Sequence, residues 1–237
     1  MNIFLCECIG TALLILLGDG VCCNVNLNKS GMKGGGIVVI TFAWGLAVLL
    51  PAFIFGSATG AHLNPALTLA LAVDGSISWS VVPFYFAGEF LGAFIGAALV
   101  LVLFYEQFKA TDDKATKRGV FCTAPSCPNT VLNLLSEIIG TFVLVFAIKG
   151  IGQVANAGAQ GLNYFFVFAI IVSIGMSLGG LTGYAINPAR DFGPRLAHAL
   201  LPVPEKGDSN FGYAWIPIVG PCIGAVLAVW LYQALPF

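Results

Sequence analysis

Thr182-Gly183-Tyr184-Ala185-Ile186-Asn187-Pro188-Ala189-Arg190-Asp191 echoes an earlier stretch, Thr59-Gly60-Ala61-His62-Leu63-Asn64-Pro65-Ala66, at a constant offset of 123 positions (59 to 182, 64 to 187). In both copies an Asn precedes a Pro and an apolar, helix-compatible run comes next. Asparagine is a strong helix N-cap, because its side-chain oxygen accepts from an otherwise unpaired backbone N–H. Proline suits the first helical position, where no N–H is needed. Each copy therefore predicts a helix start. One Asn-Pro-Ala alone usually marks a turn, whereas two with the same upstream Thr-Gly mark a duplicated element.

The surroundings of the two boxes are those of a membrane protein. Of 237 residues, 58% are hydrophobic and only 9% charged, and the mean hydropathy is +0.93. A soluble domain carries about 25% charged residues, so this chain lacks the polar side chains to cover a globule in water. A net charge of −1 argues against nucleic acid as a partner. Met1-Asn2-Ile3-Phe4 has no basic flank of the kind a cleaved leader carries and runs straight into an apolar segment, which is expected to be the first span. The 29 glycines suit close helix packing in lipid. Of the seven cysteines, Cys6, Cys8 and Cys222 lie in apolar spans as small packing residues. Cys122 and Cys127 share a polar loop and are the pair that a disulfide would join if that loop faces an oxidising side. His62 and His198 are poor material for a metal site, and no cofactor is implied.

Along the chain, full spans are expected at 2–25, 35–55, 79–104, 131–151, 161–178 and 213–235. Residues 65–73 and 188–200 are shorter apolar runs, each entered through an Asn-Pro. Nine residues at about 1.5 Å each cover less than half of a roughly 30 Å hydrocarbon core, so 65–73 is a half-helix. The segments 56–64 and 179–187 are too rich in Gly and small residues to be expected as helix, and 105–129 is expected as a solvated, charged connector. Glu7-Cys8-Ile9-Gly10-Thr11 matches Glu137-Ile138-Ile139-Gly140-Thr141, and Gly88 to Ala93 matches Gly220 to Ala225. The expected fold is thus all-α: six transmembrane helices and two re-entrant half-helices in two repeats, 1–118 and 119–237, forming one pore domain. Each repeat has three spans, an odd number, so the second lies inverted. The half-helices then enter from opposite faces and meet near the midplane, as in membrane folds built from inverted repeats with broken helices. Irregular backbone at that depth survives only when buried in protein or lining a wet cavity. The carbonyls of Gly60, Ala61, His62 and Leu63, and of Gly183, Tyr184, Ala185 and Ile186, would form two acceptor ladders along that path.

The paired boxes resemble those of the aquaporin family (major intrinsic proteins), over nearly the whole chain. The Arg190-Asp191 tail resembles the glycerol-conducting branch, the aquaglyceroporins. The resemblance implies that Asn64, Pro65 and Ala66 meet Asn187, Pro188 and Ala189 in the pore, with both Asn amides donating to a passing hydroxyl. Each helix N-terminus carries roughly +0.5 elementary charge, and paired half-helix ends of this kind exclude cations and protons. Arg190 at a half-helix start is either ion-paired or, as the resemblance implies, a fixed donor in the narrowest part of the pore, with Trp44, Gly175 and Tyr184 as the rest of the filter. Gly175 would keep the constriction wide by lacking a side chain. Tyr184 stands where glycerol facilitators commonly have Phe, and Glu89 where the family more often has Gln. Glu7 and Glu137 would brace the irregular segments, Asp191 would serve as a first-turn acid, and His62 would brace the loop beside the pore.

The expected function is that of a passive channel for small uncharged solutes, with glycerol and water first and dihydroxyacetone, urea and undissociated lactic acid in the same class. A homotetramer in the lipid bilayer of the cell membrane is implied. Lys and Arg cluster in the first and third loops, which the positive-inside rule would make cytoplasmic. The resemblance instead puts both termini in the cytoplasm, and because it covers nearly the whole chain it outweighs the charge rule. A coupled transporter would need titrating groups at the midplane. Asp19, Glu89, Glu7 and Glu137 are the intramembrane acids available, and none lies in a substrate-facing motif. No Ser/His, His/Glu or paired-Asp pattern supports an intramembrane enzyme.

Overall fold

The computed structural model describes residues 2–236. Among them there are helices and no strands. Six helices are long and apolar enough to cross a membrane: α1 (Ile3–Asn26), α2 (Gly36–Thr59), α4 (Val82–Leu103), α7 (Thr130–Gly150), α8 (Leu162–Thr182) and α10 (Ile216–Ala234). The two half-helices are α3 (Pro65–Val73) and α9 (Pro188–Leu200), with the expected bounds. The order span, span, half-helix, span occurs twice, and both termini fall on one face of the membrane.

Helix ends are set by local chemistry. Asn2 caps α1 through Leu5 N–H (3.1 Å), and Asn129 caps α7 through Leu132 N–H (3.0 Å). Gly60 (φ +84°) and Gly183 (φ +80°) end α2 and α8 in the left-handed region that glycine enters without a Cβ clash. Both helices therefore run four residues further than expected, through 56–59 and 179–182. Glycine and serine disfavour helix in water, but lipid offers the backbone no alternative hydrogen-bond partner.

Residues 105–129 also depart from expectation. They form α5 (Tyr105–Lys109) and α6 (Lys114–Phe121) rather than an open connector. Asp113 caps α6, and its bonds from the Thr116 hydroxyl and from the N–H groups of Thr116 and Ala115 hold its carboxyl below the usual range. Phe108, Val120 and Phe121 are fully buried, and the Lys117 ammonium donates inward to the Pro204 carbonyl (2.7 Å). Glu106, Lys109, Asp112, Asp113 and Lys114 stay exposed, as expected of a solvated connector, while the buried face of α6 packs against α1 and α9. Cys122 and Cys127 are free thiols, one buried and one exposed.

Small residues set the helix packing. On α4, Gly88 and Gly92 lie against the Phe4 and Cys8 carbonyls of α1, and Gly96 against Ala12. On α10, Gly220 and Gly224 repeat this against α7, with Gly224 on the Ile138 carbonyl. Each half-helix packs across the repeat boundary, α3 on α10 and α9 on α4. Asp74, just past α3, pairs with Lys149 near the end of α7 (2.5 Å). Trp79, Trp215 and Trp230 are exposed on the outside, whereas Trp44 is buried.

A Cβ at Gly92 would fall within the Cys8 backbone, which has no flexible end to yield. Gly92→Ala is therefore expected to lower stability by about 1–3 kcal/mol, read as a drop in the midpoint of thermal unfolding in detergent. Gly180→Ala, where an added Cβ meets nothing within 4 Å, should not lower it.

Candidate functional site

The two boxes meet inside the bundle. Asn64 Oδ1 accepts from Ala66 N–H (2.9 Å) and caps α3, while its Nδ2 donates to the Ile186 carbonyl (2.9 Å). Asn187 Oδ1 accepts from the N–H groups of Ala189 (3.0 Å) and Arg190 (3.2 Å) and caps α9, while its Nδ2 donates to the Leu63 carbonyl (2.7 Å). The bonds are reciprocal, so each cap also staples the opposite loop. Each amide keeps a second N–H, and both Asn border the same cavity.

The loops before the caps share an unusual backbone. Gly60, Ala61 and Leu63 have positive φ, and so do Gly183, Tyr184 and Ile186 at the same offset. For residues with a side chain this costs of order 1–3 kcal/mol each. Two buried carboxylates hold the shape. Glu7 accepts from the Thr59 hydroxyl (2.5 Å) and from the N–H groups of His62 (3.2 Å) and Leu63 (2.8 Å). Glu137 accepts from the Thr182 hydroxyl (2.6 Å) and from the N–H groups of Ala185 (3.1 Å) and Ile186 (2.8 Å). With N–H groups tied outward, the loop edges are left to the lumen. Gly60, Ala61, His62, Leu63, Tyr184, Ala185 and Ile186 all border the cavity. Gly183 does not; its α-carbon faces Thr123.

The copies differ where Glu89 stands against Pro221. Glu89 accepts from Asn64 N–H (3.2 Å) and the Thr68 hydroxyl (2.7 Å). Thr68 in turn meets His62 Nδ1 (2.9 Å), and the His62 ring stacks on Tyr85 at 4.2 Å. In the second copy Asp191 takes the place of Thr68. It accepts from Thr123 N–H (2.9 Å) and hydroxyl (2.5 Å), and it forms a two-pronged pair with Arg195 (2.8 Å for each bond). Arg195 also donates to the carbonyls of Ser209, Asn210 and Thr123. Arg195 is not among the residues expected from the sequence, although its i,i+4 spacing from Asp191 is the signal that could have found it.

Arg190, Trp44 and Tyr184 come together at one end of the cavity. The Arg190 guanidinium lies over the Trp44 ring at 4.1 Å, with Nη1 3.4 Å from the Phe121 carbonyl and 3.6 Å from Asp19 Oδ1. Arg190 is thus ion-paired and also borders the cavity. Gly175 is placed differently from the expectation. It does not border the cavity, because the Tyr184 ring and Thr41 cover it: a Cβ there would stand 2.8 Å from Tyr184 and 2.5 Å from Thr41. Gly179 also touches the ring. Together they form a seat into which Tyr184 reclines.

The cavity has a volume of about 280 Å³ and runs from these three residues past the paired Asn to Ile148, Asn163 and Tyr164 near the termini face. Leu14, Val48, Leu67, Leu144, Val167 and Ile171 make its aliphatic wall. The loop edges and Asn amides make its polar strip. Asn163 and Tyr164 were absent from the sequence expectations, since nothing local distinguishes them from other residues of α8.

Residues 1–232 match the sequence profile of the major intrinsic proteins. The chain belongs to this family. Among relatives, the major intrinsic protein of Bacillus subtilis called "Glycerol uptake facilitator protein" is 53% identical over 234 residues, covering 99% of this chain and 85% of that one. The "Probable glycerol uptake facilitator protein" of Thermotoga maritima is also 53% identical, covering 99% and 100%. A solved structure, the aquaglyceroporin of Plasmodium falciparum, superposes with a TM-score of 0.84 at 28% identity, covering 99% of this chain and 96% of that one. Major intrinsic proteins are membrane channels, so the chain is a multi-pass membrane protein of a channel family and not an enzyme.

Glu137→Gln would turn an amide N–H₂ toward donors that now face a carboxylate oxygen. Each buried donor left unpaired costs about 1–3 kcal/mol. The variant should unfold at lower temperature in detergent and lose osmotic water permeability per protein in proteoliposomes, because the loop it braces borders the lumen.

Proposed function

We propose that this chain is a passive channel for small uncharged solutes, with glycerol and water as the leading permeants and dihydroxyacetone, urea and undissociated lactic acid in the same size class. The observation that carries the reading is the junction of Asn64 and Asn187. Two half-helix N-termini converge there, with their capping amides on a continuous cavity that has one aliphatic and one polar side. A polyol matches that duality: CH groups on the aliphatic wall, hydroxyls accepting from the Asn amides and Arg190 and donating to loop carbonyls. A cation meets two positive helix ends. The relatives named as glycerol facilitators support the same solute class.

In this reading Asn64-Pro65-Ala66 and Asn187-Pro188-Ala189 form the central junction, and Trp44, Tyr184 and Arg190 form the filter with Gly175 behind it. Glu7, Glu137 and Asp191 are supports. The pore domain consists of two inverted repeats, 1–118 and 119–237, and the protein works as a homotetramer in the cell membrane with both termini cytoplasmic. An ion-coupled transporter is less well supported. Glu7 and Glu137 are occupied as loop acceptors, and Glu89 is tied to Asn64 and Thr68.

Purified protein in liposomes is expected to pass glycerol without saturation and without ion current, measured by stopped-flow light scattering and planar-bilayer recording. Gradient-driven, saturable uptake or Na⁺ conductance would overturn the channel reading. Gly175→His is expected to cut glycerol permeability at least about tenfold, which needs only about 1.36 kcal/mol, and water permeability much less. The imidazole would evict the Tyr184 ring from its seat into the lumen, where the wider solute loses more. Equal loss of both permeabilities in correctly assembled protein would disprove this account of the filter.

A further inference from the structure

One acid in the spans takes no part in bracing the loops. Asp19 lies in α1 and is fully buried, and neither carboxylate oxygen has a hydrogen-bond partner within the protein. A carboxylate in that state is costly unless a cation compensates it. Its charge partner is Arg190, 3.6 Å away. The nearby acid Asp191 cannot substitute, since Thr123 and Arg195 occupy both of its oxygens. Among the described residues Arg190 therefore has one ion-pair partner, and that partner sits outside the lumen.

The same turn of α1 shapes the rest of the filter. Gly18 lies directly under the Trp44 ring, where no Cβ would fit, and Cys22 lies beside Trp44 one turn on. Trp44 in turn carries the guanidinium on its face. The Phe121 carbonyl and Asp19 both draw on Nη1. Among the described residues no hydrogen-bond acceptor engages Nη2 or Nε, which leaves those donors for a solute.

We propose that Asp19 is the counter-charge of the filter: a positioning residue that fixes the Arg190 guanidinium against Trp44 and leaves the constriction with little net charge. The inference rests on the channel reading proposed for this protein. Electrically, the guanidinium serves as an array of aimed N–H donors more than as a bare cation. A near-neutral constriction lined by fixed donors suits polyols, and exclusion of cations falls mainly to the half-helix ends. Replacing Arg190 by the shorter Val removes the counter-charge and opens the space between Asp19 and the lumen to water, where the hydrated carboxylate should draw cations.

Four proteins in proteoliposomes test this: wild type, Asp19→Asn, Arg190→Val and the double variant. Asp19→Asn should lower the glycerol-to-water permeability ratio about three- to tenfold, since small misplacements of an orienting group carry large rate costs. Arg190→Val should admit Na⁺ and H⁺, measured as collapse of an imposed potential, and adding Asp19→Asn should reduce that leak several-fold. A merely structural Asp19 would not produce the second result, because a damaged pore leaks more when damaged twice. If Asp19→Asn does not assemble, the inference requires the double variant to recover assembly, since it removes both charges; failure of both overturns it. An unchanged ratio together with an unchanged leak also overturns it. Wild-type protein that passes no glycerol would instead overturn the channel reading, an outcome distinct from these.

Discussion

A backbone N–H inside a membrane has no water to turn to, and the segments before Asn64 and Asn187 are not helical. Two buried glutamates resolve that conflict. Glu7 and Glu137 each gather two backbone N–H groups and a threonine hydroxyl from a loop that would otherwise be unsatisfiable at that depth. This bonding makes the left-handed residues tolerable. The strain in Ala61, Leu63, Tyr184 and Ile186 is offset by acceptors held rigidly on full-length spans. The polar strip of the lumen, the direction of the half-helices and the meeting of the caps all depend on those two carboxylates.

The two halves agree in this bracing and diverge around it. On the termini side of the junction the support is a chain of Glu89, Thr68, His62 and Tyr85. On the other side it is the Asp191–Arg195 pair, which reaches out to hold the Thr123, Ser209 and Asn210 carbonyls. The second arrangement fastens two loops near the end of the cavity bordered by Trp44, Tyr184 and Arg190. The likeness of the two halves is thus kept where backbone must be satisfied and lost in the side chains around it.

Much of this was legible in the chain, for reasons that can be named. Asn-Pro fixes a helix start within one residue, and Asp74 and the residues after Leu200 stop the half-helices, so both bounds came out as expected. The ends of α2 and α8 did not, because glycine and serine were weighed as they behave in water. The short helices α5 and α6 were hidden because their buried face is only a few residues, Phe108, Val120 and Phe121, among many charges. Glu7 and Glu137 were recognisable from their matched contexts. Asp19 was visible as an intramembrane acid, but its partner was not, since nothing local in α1 points to a side chain at the start of α9. Gly175 was expected to face the cavity and instead lies behind the Tyr184 ring, because a missing side chain can open space either for a cavity or for a neighbouring ring.

That last distinction applies at both ends of the cavity. Tyr184 reclines on Gly175 and Gly179, and Tyr164 reclines on Gly56, where a Cβ would stand 2.5 Å from the phenol. The tyrosines border the cavity, yet the depth to which each ring sinks is set by hydrogen atoms on helices behind it. The bore of the channel is therefore adjustable from the rear. A lineage could narrow either end by a single methyl at a glycine that does not border the cavity, and catalogues of cavity-facing side chains alone would miss the change.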